Sequence, residues 1–204
     1  MTSQRAYHHG DLRRAVLTAA LDVIATEGPS ALSLRDLARR AGVSHAAPAH
    51  HFKDRGGLLT AIATEGYDLL AHSLADAPDL RERGVRYVRF AMDHPAHFQV
   101  MFQPDLLRPD DPDLLAAKAR AAAELRTGVE KRAAPAEDAD LMGIAAWSIA
   151  HGFATLLLSQ NLDRQLEGRS AEDVFRALTG LTFRAHYARS PPPSSVIADD
   201  RMKE

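Results

Sequence analysis

Residues 33–52 read SLRDLARRAGVSHAAPAHHF, and this stretch decides the architecture. Leu34, Leu37, Ala38 and Ala41 recur at the spacing of one face of a short helix, with Ser33 in the capping position before it. Gly42 ends that helix. After only Val43, Ser44 stands as the cap of a second one, predicted from about His45 to Phe52. Ala38 and Gly42 are small where two backbones must approach, and glycine also tolerates the backbone conformation of a tight turn. The spacing therefore predicts a helix-turn-helix over 33–52. Ser44, His45, Ala46 and Ala47 are small or polar at the start of the second helix. Such a helix can approach base edges in a major groove about 12 Å wide. Its N-terminus offers unpaired N–H groups to a phosphate.

Outward from this motif the helical period continues. Upstream, Leu12, Ala15, Val16, Ala19, Ala20, Val23 and Ile24 mark one buried face, with Asp11 as N-cap and Gly28-Pro29 as the stop. Downstream, Asp54-Arg55-Gly56-Gly57 breaks the chain before a fourth helix carrying Leu58, Leu59, Ile62, Leu69 and Leu70. Asp76-Ala77-Pro78 reads as a joint. Beyond it helices are predicted at about 79–93, 95–103, 111–132, 137–161 and 170–188, with prolines at the breaks. No segment combines period-two alternation with β-branched residues. The fold class is all-α: an N-terminal three-helix bundle containing the helix-turn-helix, then a larger C-terminal helical bundle. The expected domains are 10–70 and 76–189, with 190–204 a disordered tail that has little to bury.

Composition narrows the function. The chain has 204 residues, 46% hydrophobic and 25% charged, ordinary for a globular protein. Without cysteine it has no disulfide framework, thiol nucleophile or thiolate metal site. No unbroken apolar stretch reads as a membrane span, and Met1 to Asp11 lacks the apolar centre of a signal peptide. The expected location is the cytoplasm, with no membrane partner. Residues 1–58 hold eight Lys/Arg (Arg5, Arg13, Arg14, Arg35, Arg39, Arg40, Lys53, Arg55) against five acids (Asp11, Asp22, Glu27, Asp36, Asp54), although the whole chain carries −2. A basic head on an acidic body suits a polyanionic partner.

The stretch YHHGDLRRAVLTAALDVIATEGPSALSLRDLARRAGVSHAAPAHHFKDRGGLL resembles the N-terminal domain of TetR-type regulators along its length. The match includes Glu27-Gly28 at the end of helix one, Ser-Leu-Arg opening helix two, Ala-Gly-Val-Ser at the turn and His-Phe-Lys-Asp after helix three. Tyr87-Val88-Arg89-Phe90, His94-Pro95 and Trp147-x-x-x-His151-Gly152 extend it, resembling the subgroup whose C-terminal domain is named for a Trp, a His and a Gly. The resemblance implies Ser33 and Ser44 at phosphates, Arg35 near the groove floor, and His45, Ala46 and Ala47 facing base edges or thymine methyls. His50 joins this DNA-reading set, and His51, Lys53 and Arg55 match backbone-contacting positions. Ala49-His50 departs from the family's usual tyrosine and its neighbour, which removes a habitual phosphate contact.

The C-terminal stretch offers pocket material. Phe90, His94, Phe98, Met101 and Phe102 cluster around Pro95, and Trp147 and His151 share a helical face at i, i+4. Core packing accounts for Phe90 and Phe102, while Phe98, Met101, Trp147 and His151 are the expected contacts of a small hydrophobic effector. His94-x-x-His97 lacks a third metal ligand, so no metal or other cofactor is expected. No nucleophile elbow or phosphate loop appears, so the reading is not an enzyme. Val174, Ala177, Leu178, Leu181, Thr182 and Ala185 form an apolar stripe, and the helix at 137–161 is apolar on several faces, with Ile144, Ile149, Phe153 and Leu157. The resemblance implies that these two helices pair with their copies in a dimer. The functional expectation is a ligand-responsive bacterial repressor that binds a palindromic operator in double-stranded DNA as a homodimer. The alternative is a helical enzyme or adaptor that binds a hydrophobic small molecule without DNA.

Overall fold

The computed structural model describes residues 3–130 and 136–187, and among these it contains ten α-helices and no strand. The expected tail at 190–204 lies outside the described residues, as do the side chains of Asp11, Thr182 and Ala185. Helix α1 (Ser3–Glu27) starts earlier than its predicted cap, so Asp11 lies within it. Val16, Ala20, Val23 and Ile24 are buried along its inner face. It stops at Gly28, whose φ is 81° and whose N–H still donates to the Ile24 carbonyl at 3.0 Å. A 3₁₀ turn, Pro29–Ala31, leads to α2 (Leu34–Arg40).

Ser33 holds the extended backbone of a cap, but its side chain makes no capping hydrogen bond. The end of α2 is a Schellman turn, in which the Val43 N–H donates to the Ala38 carbonyl at 3.0 Å and the Gly42 N–H to Arg39 at 3.2 Å. Gly42 has φ 66°, and a Cβ built on it meets nothing within 4 Å. The turn therefore needs glycine for its left-handed backbone, not for the close approach expected from the sequence. Ala38, fully buried, supplies the close approach. Helix α3 (Ala47–Phe52) begins two residues later than predicted, and Ala46, not Ser44, stands at its cap. Pro48 explains the shift: it lacks an N–H, fits a first turn whose N–H groups have no partner, and is buried there.

Asp54 caps α4 (Arg55–Leu74) by accepting from the Gly57 N–H at 2.9 Å, so 54–57 opens a helix besides ending one. Leu58, Leu59 and Ile62 are buried in its first half, which packs on α3, and its second half runs into the body. There follow α5 (Leu80–Asp93), α6 (Pro95–Met101), α7 (Pro112–Glu130), α8 (Ala136–Leu158), the short α9 (Asp163–Leu166) absent from the sequence reading, and α10 (Ala171–Tyr187). Helix α4 packs on α5, α6 and α7, and α5 packs on α8 and α10. Buried apolar residues form one cluster from Val16 to Phe175, so head and body share a core through α4.

One expectation is corrected here. Ala139–Leu158 is long and apolar enough to cross a membrane by length and composition. Only its inner face is covered, burying Ala150, Phe153 and Ala154, while Leu141, Ile144, Trp147 and Leu156 are exposed.

Candidate nucleic-acid interface and effector cavity

Helices α2 and α3 divide their residues between two sides. Leu37, Ala38, Pro48 and Phe52 are buried, and the Arg13 guanidinium lies 5.5 Å from the centroid of the Phe52 ring. Ser33, Arg35, Ser44, His45, Ala46, His50 and Lys53 are exposed, and Ala47 and His51 are half-buried. Most of the sequence-predicted DNA contacts thus lie together on the outer side. Arg39 and Arg40 are committed otherwise, since both donate to the Asp36 carboxylate at 2.6 Å and Arg40 reaches Glu27 at 3.3 Å. The hydrogen bonds from Arg39 and Arg40 hold the Asp36 carboxyl below its ordinary pKa. Arg35 and Lys53 make no ion pair among the described residues. Lys53, exposed, closes α3 with φ 68°, a conformation costing a non-glycine residue about 1–3 kcal/mol.

Arg55 is placed differently from the rest. Half-buried, it donates from Nη2 to the Pro29 carbonyl at 2.9 Å, and its Nε is buried without a partner. It ties the start of α4 to the turn after α1 instead of facing outward. Arg108, which the sequence reading missed, clasps the same corner. Its Nη2 donates to Asp54 Oδ2 at 2.8 Å and its backbone N–H to Thr60 Oγ1 at 2.9 Å. Nothing in the loop sequence around Arg108 signals this, because its partners lie 48 and 54 residues away.

In the body, a cavity of about 340 Å³ lies among α5, α7, α8 and α10, walled mainly by Leu80, Tyr87, Leu125, Ile144, Trp147 and Phe175. Of the four expected effector contacts only Trp147 reaches this wall. His151 stands behind Tyr87. Phe98 stacks on His151 at 5.2 Å, and Met101 is buried in the core against Gly66, where a Cβ would stand 2.6 Å from the Met101 sulfur. Tyr87, fully buried, is the residue the sequence reading failed to single out. Its hydroxyl lies 3.3 Å from Trp147 Nε1 and 2.9 Å from His151 Nδ1.

The chemistry of this trio follows from its donors. An indole N–H can only donate, so the Tyr87 oxygen accepts from Trp147, and the arrangement that also uses the phenol proton has it donated to His151 Nδ1. His151 is then the neutral tautomer with its proton on Nε2. Burial pushes the His151 pKa down and the Tyr87 phenol well up, so both groups are neutral where the bonds need them to be. Phe102 closes the cluster, edge-on to His151 at 4.5 Å.

Between this cluster and the head stands α6. The Tyr67 hydroxyl of α4 donates to the Met101 carbonyl at 3.0 Å, and burial raises its pKa to about 12. His97 Nε2 lies 3.9 Å from Glu65, and the His94 and His97 rings are 5.7 Å apart. No group of three potential metal ligands gathers among the described residues.

Comparison with known proteins agrees with this architecture. Residues 16–62 match the family model of bacterial regulatory proteins of the tetR family, and residues 80–181 match that of the tetracyclin repressor-like C-terminal domain. The HTH-type transcriptional regulator BetI of Klebsiella pneumoniae (strain 342) is 38% identical over 71 residues, 33% of this chain and 36% of that protein. The matched segment is thus about a third of the curated relative. Among solved structures, a protein of unknown function from Rhodococcus sp. RHA1 superposes with a TM-score of 0.71 at 32% identity, covering 88% of this chain and 97% of that one. The TetR family transcriptional regulator PfmR of Thermus thermophilus gives 0.56 at 26% identity, covering 83% and 97%.

Proposed function

The chain belongs to the TetR family of bacterial regulatory proteins, and from that premise we propose that it is a cytoplasmic, ligand-responsive repressor that binds a palindromic operator as a homodimer. The observation that carries the reading is the helix-turn-helix with its exposed polar side. Leu37, Ala38 and Phe52 anchor α2 and α3, leaving Arg35, Ser44, His45 and Lys53 outward. In this reading His45, Ala46, Ala47 and His50 meet base edges, and Arg35 reads the groove. Ser33, Ser44, His51 and Lys53 meet phosphates. Arg55 braces the head through Pro29 and acts on DNA through that placement.

The exposed apolar side chains Leu141, Ile144 and Leu156 on α8 and Leu181 on α10 support a dimer made by these two helices. Such a face, not a membrane span, accounts for the apolar α8, because α5 and α7 already cover its other side. Two-fold symmetry then sets two α3 helices in successive major grooves, about 34–36 Å apart or at a wider spacing. An effector against Trp147 and Tyr87 would act through His151, Phe98 and Phe102 on α6, which grips α4 at Gly66 and Tyr67. It shifts DNA affinity only by binding the two states unequally. The Trp147-x-x-x-His151-Gly152 motif supports placement in the subgroup named for those residues. The two regulatory-family matches, which together span head and body, support a regulator over an enzyme.

The test is binding of the purified chain to random duplex DNA over a salt series. The logarithm of affinity should fall linearly with that of salt concentration, and Lys53→Ala should reduce the slope by about one unit. No binding, or binding indifferent to salt, contradicts the reading.

A further inference from the structure

Resting on the reading of α3 as the helix that meets DNA, we propose that Arg108 is a positioning residue for it: from the body, Arg108 holds Asp54 and thereby fixes the angle at which α3 is presented to the groove. Helix α3 closes at Lys53, and Asp54, the next residue, caps α4. The Asp54 N–H also donates to the Phe52 carbonyl at 2.9 Å. Whatever fixes Asp54 therefore fixes the end of α3. Its carboxylate is held from two sides. Oδ1 accepts from the Gly57 N–H at 2.9 Å, and Oδ2 accepts from Arg108 Nη2 at 2.8 Å. The same two donors, Gly57 first, keep the carboxyl below its ordinary pKa.

Arg108 is fastened at two further points. Its backbone N–H donates to Thr60 Oγ1 at 2.9 Å, and Thr60, itself buried, donates in turn to the Gly56 carbonyl at 2.8 Å. Its guanidinium lies over Gly57, where a Cβ would stand 3.1 Å from Nη1 and collide with the Phe52 carbonyl oxygen. The segment that carries Arg108 belongs to the body. Leu107 is buried, and the 3₁₀ turn Pro104–Leu106 starts two residues after Phe102, which packs edge-on to His151. The backbone gives an independent reason for a clasp at this corner. Lys53 has φ 68°, and a non-glycine residue keeps such a conformation only where its surroundings hold it. Fastening Asp54 supplies that constraint at the neighbouring residue.

The experiment measures binding of the full-length protein to random duplex and to a duplex recovered by selection from genomic fragments. Each is followed over a salt series for the wild type, Arg108→Met, Asp54→Asn and the double variant. Asparagine caps a helix about as well as aspartate, so Asp54→Asn removes the charge that Arg108 holds and keeps the bond to Gly57. The pair is 37% exposed at Arg108 and 64% at Asp54. Such a pair adds little stability, so Tm should stay close to wild type, and it couples its partners by up to about fivefold. A dimer carries two, so each single variant should weaken the selected duplex by about tenfold. Random duplex should lose less than about threefold, because base contacts demand a set angle and phosphate contacts tolerate several. The double variant should bind like either single one, and the salt slope should remain that of the wild type. Equal losses on both duplexes with a slope lower by about one unit would make Arg108 a phosphate contact and overturn the inference. Additive losses in the double variant, or wild-type selectivity in Asp54→Asn, overturn it as well. A wild-type protein that binds neither duplex would sink the DNA reading itself, and the inference with it.

Discussion

Replacing Tyr87 by Phe tests whether the Trp147–Tyr87–His151 trio is held by hydrogen bonds or only by shape. The ring keeps its place: Tyr87 is 1% exposed and edge-packed on Phe98 at 6.0 Å, so the apolar contribution is unchanged. Only the oxygen goes. Its loss leaves His151 Nδ1 without the 2.9 Å bond in a half-buried setting, and Trp147 without a weaker one at 3.3 Å. Trp147 is 44% exposed, so its N–H recovers a water and contributes little to the loss. The unmatched imidazole nitrogen dominates, at about 1–2 kcal/mol, the lower part of the range for a buried group left unsatisfied. For a chain of this length that lowers Tm by about 2–8 °C. Thermal unfolding at fixed protein concentration measures it, and Tyr87→Phe combined with His151→Phe gives the coupling between the two sites. The double variant should lose clearly less than the sum of the singles. Tyr87→Phe with wild-type stability, or strict additivity, would refute the hydrogen-bonded tautomer derived above.

Three further outcomes follow from other parts of the molecule. Gly42→Ala meets no steric obstacle, so its cost is that of the left-handed backbone alone, about 1–2 kcal/mol; an unchanged Tm would show that the turn does not hold φ at 66°. His94 and His151 both have pKa values lowered by burial, His94 with a smaller contribution from His97. A histidine whose folded pKa is depressed gives stability that is complete above the unfolded value and lost as pH falls below it. Tm should therefore fall on going from about pH 7.5 to pH 5.5, and a rise over that window would contradict the assignment. Leu181→Arg places a charge on a face whose leucine is 74% exposed in one protomer. It should convert the dimer to monomer by light scattering while leaving monomer helicity intact, and a variant still dimeric at the same concentration would move the interface elsewhere.

The architecture was legible wherever a local rule sufficed. The apolar spacing of Val16, Ala20, Val23 and Ile24 and of Leu34, Leu37 and Ala38 gave α1 and α2 their buried faces. Gly42 marked the turn, although for its backbone and not for its size. The start of α3 was misplaced because a serine near a helical run reads as a cap, and Pro48 shifted the first turn without leaving a periodic trace. The outward Ser44 and His45 followed from small and polar residues in a row, whereas Arg35 and Lys53 came from the resemblance to TetR-type regulators. Arg55 could not be read this way, since the Pro29 carbonyl that draws it inward is 26 residues off. Tyr87 shows the same limit more sharply. In sequence it is one aromatic among several, and its role comes from Trp147 and His151, 60 and 64 residues away. The cavity is likewise made by four helices meeting, and no single segment announces it.

The central claim is that this chain reads duplex DNA through α3 as a symmetric dimer. It is tested most directly by incubating the full-length protein with fragmented genomic DNA of its host, recovering the bound fragments and sequencing them. The account predicts enrichment of a shared, two-fold symmetric sequence, bound roughly a thousandfold or more above random duplex at physiological salt. Replacing His45 by Ala should relax the bases preferred in each half-site. Recovered fragments that share no sequence, or that match the input pool in composition and affinity, would contradict it.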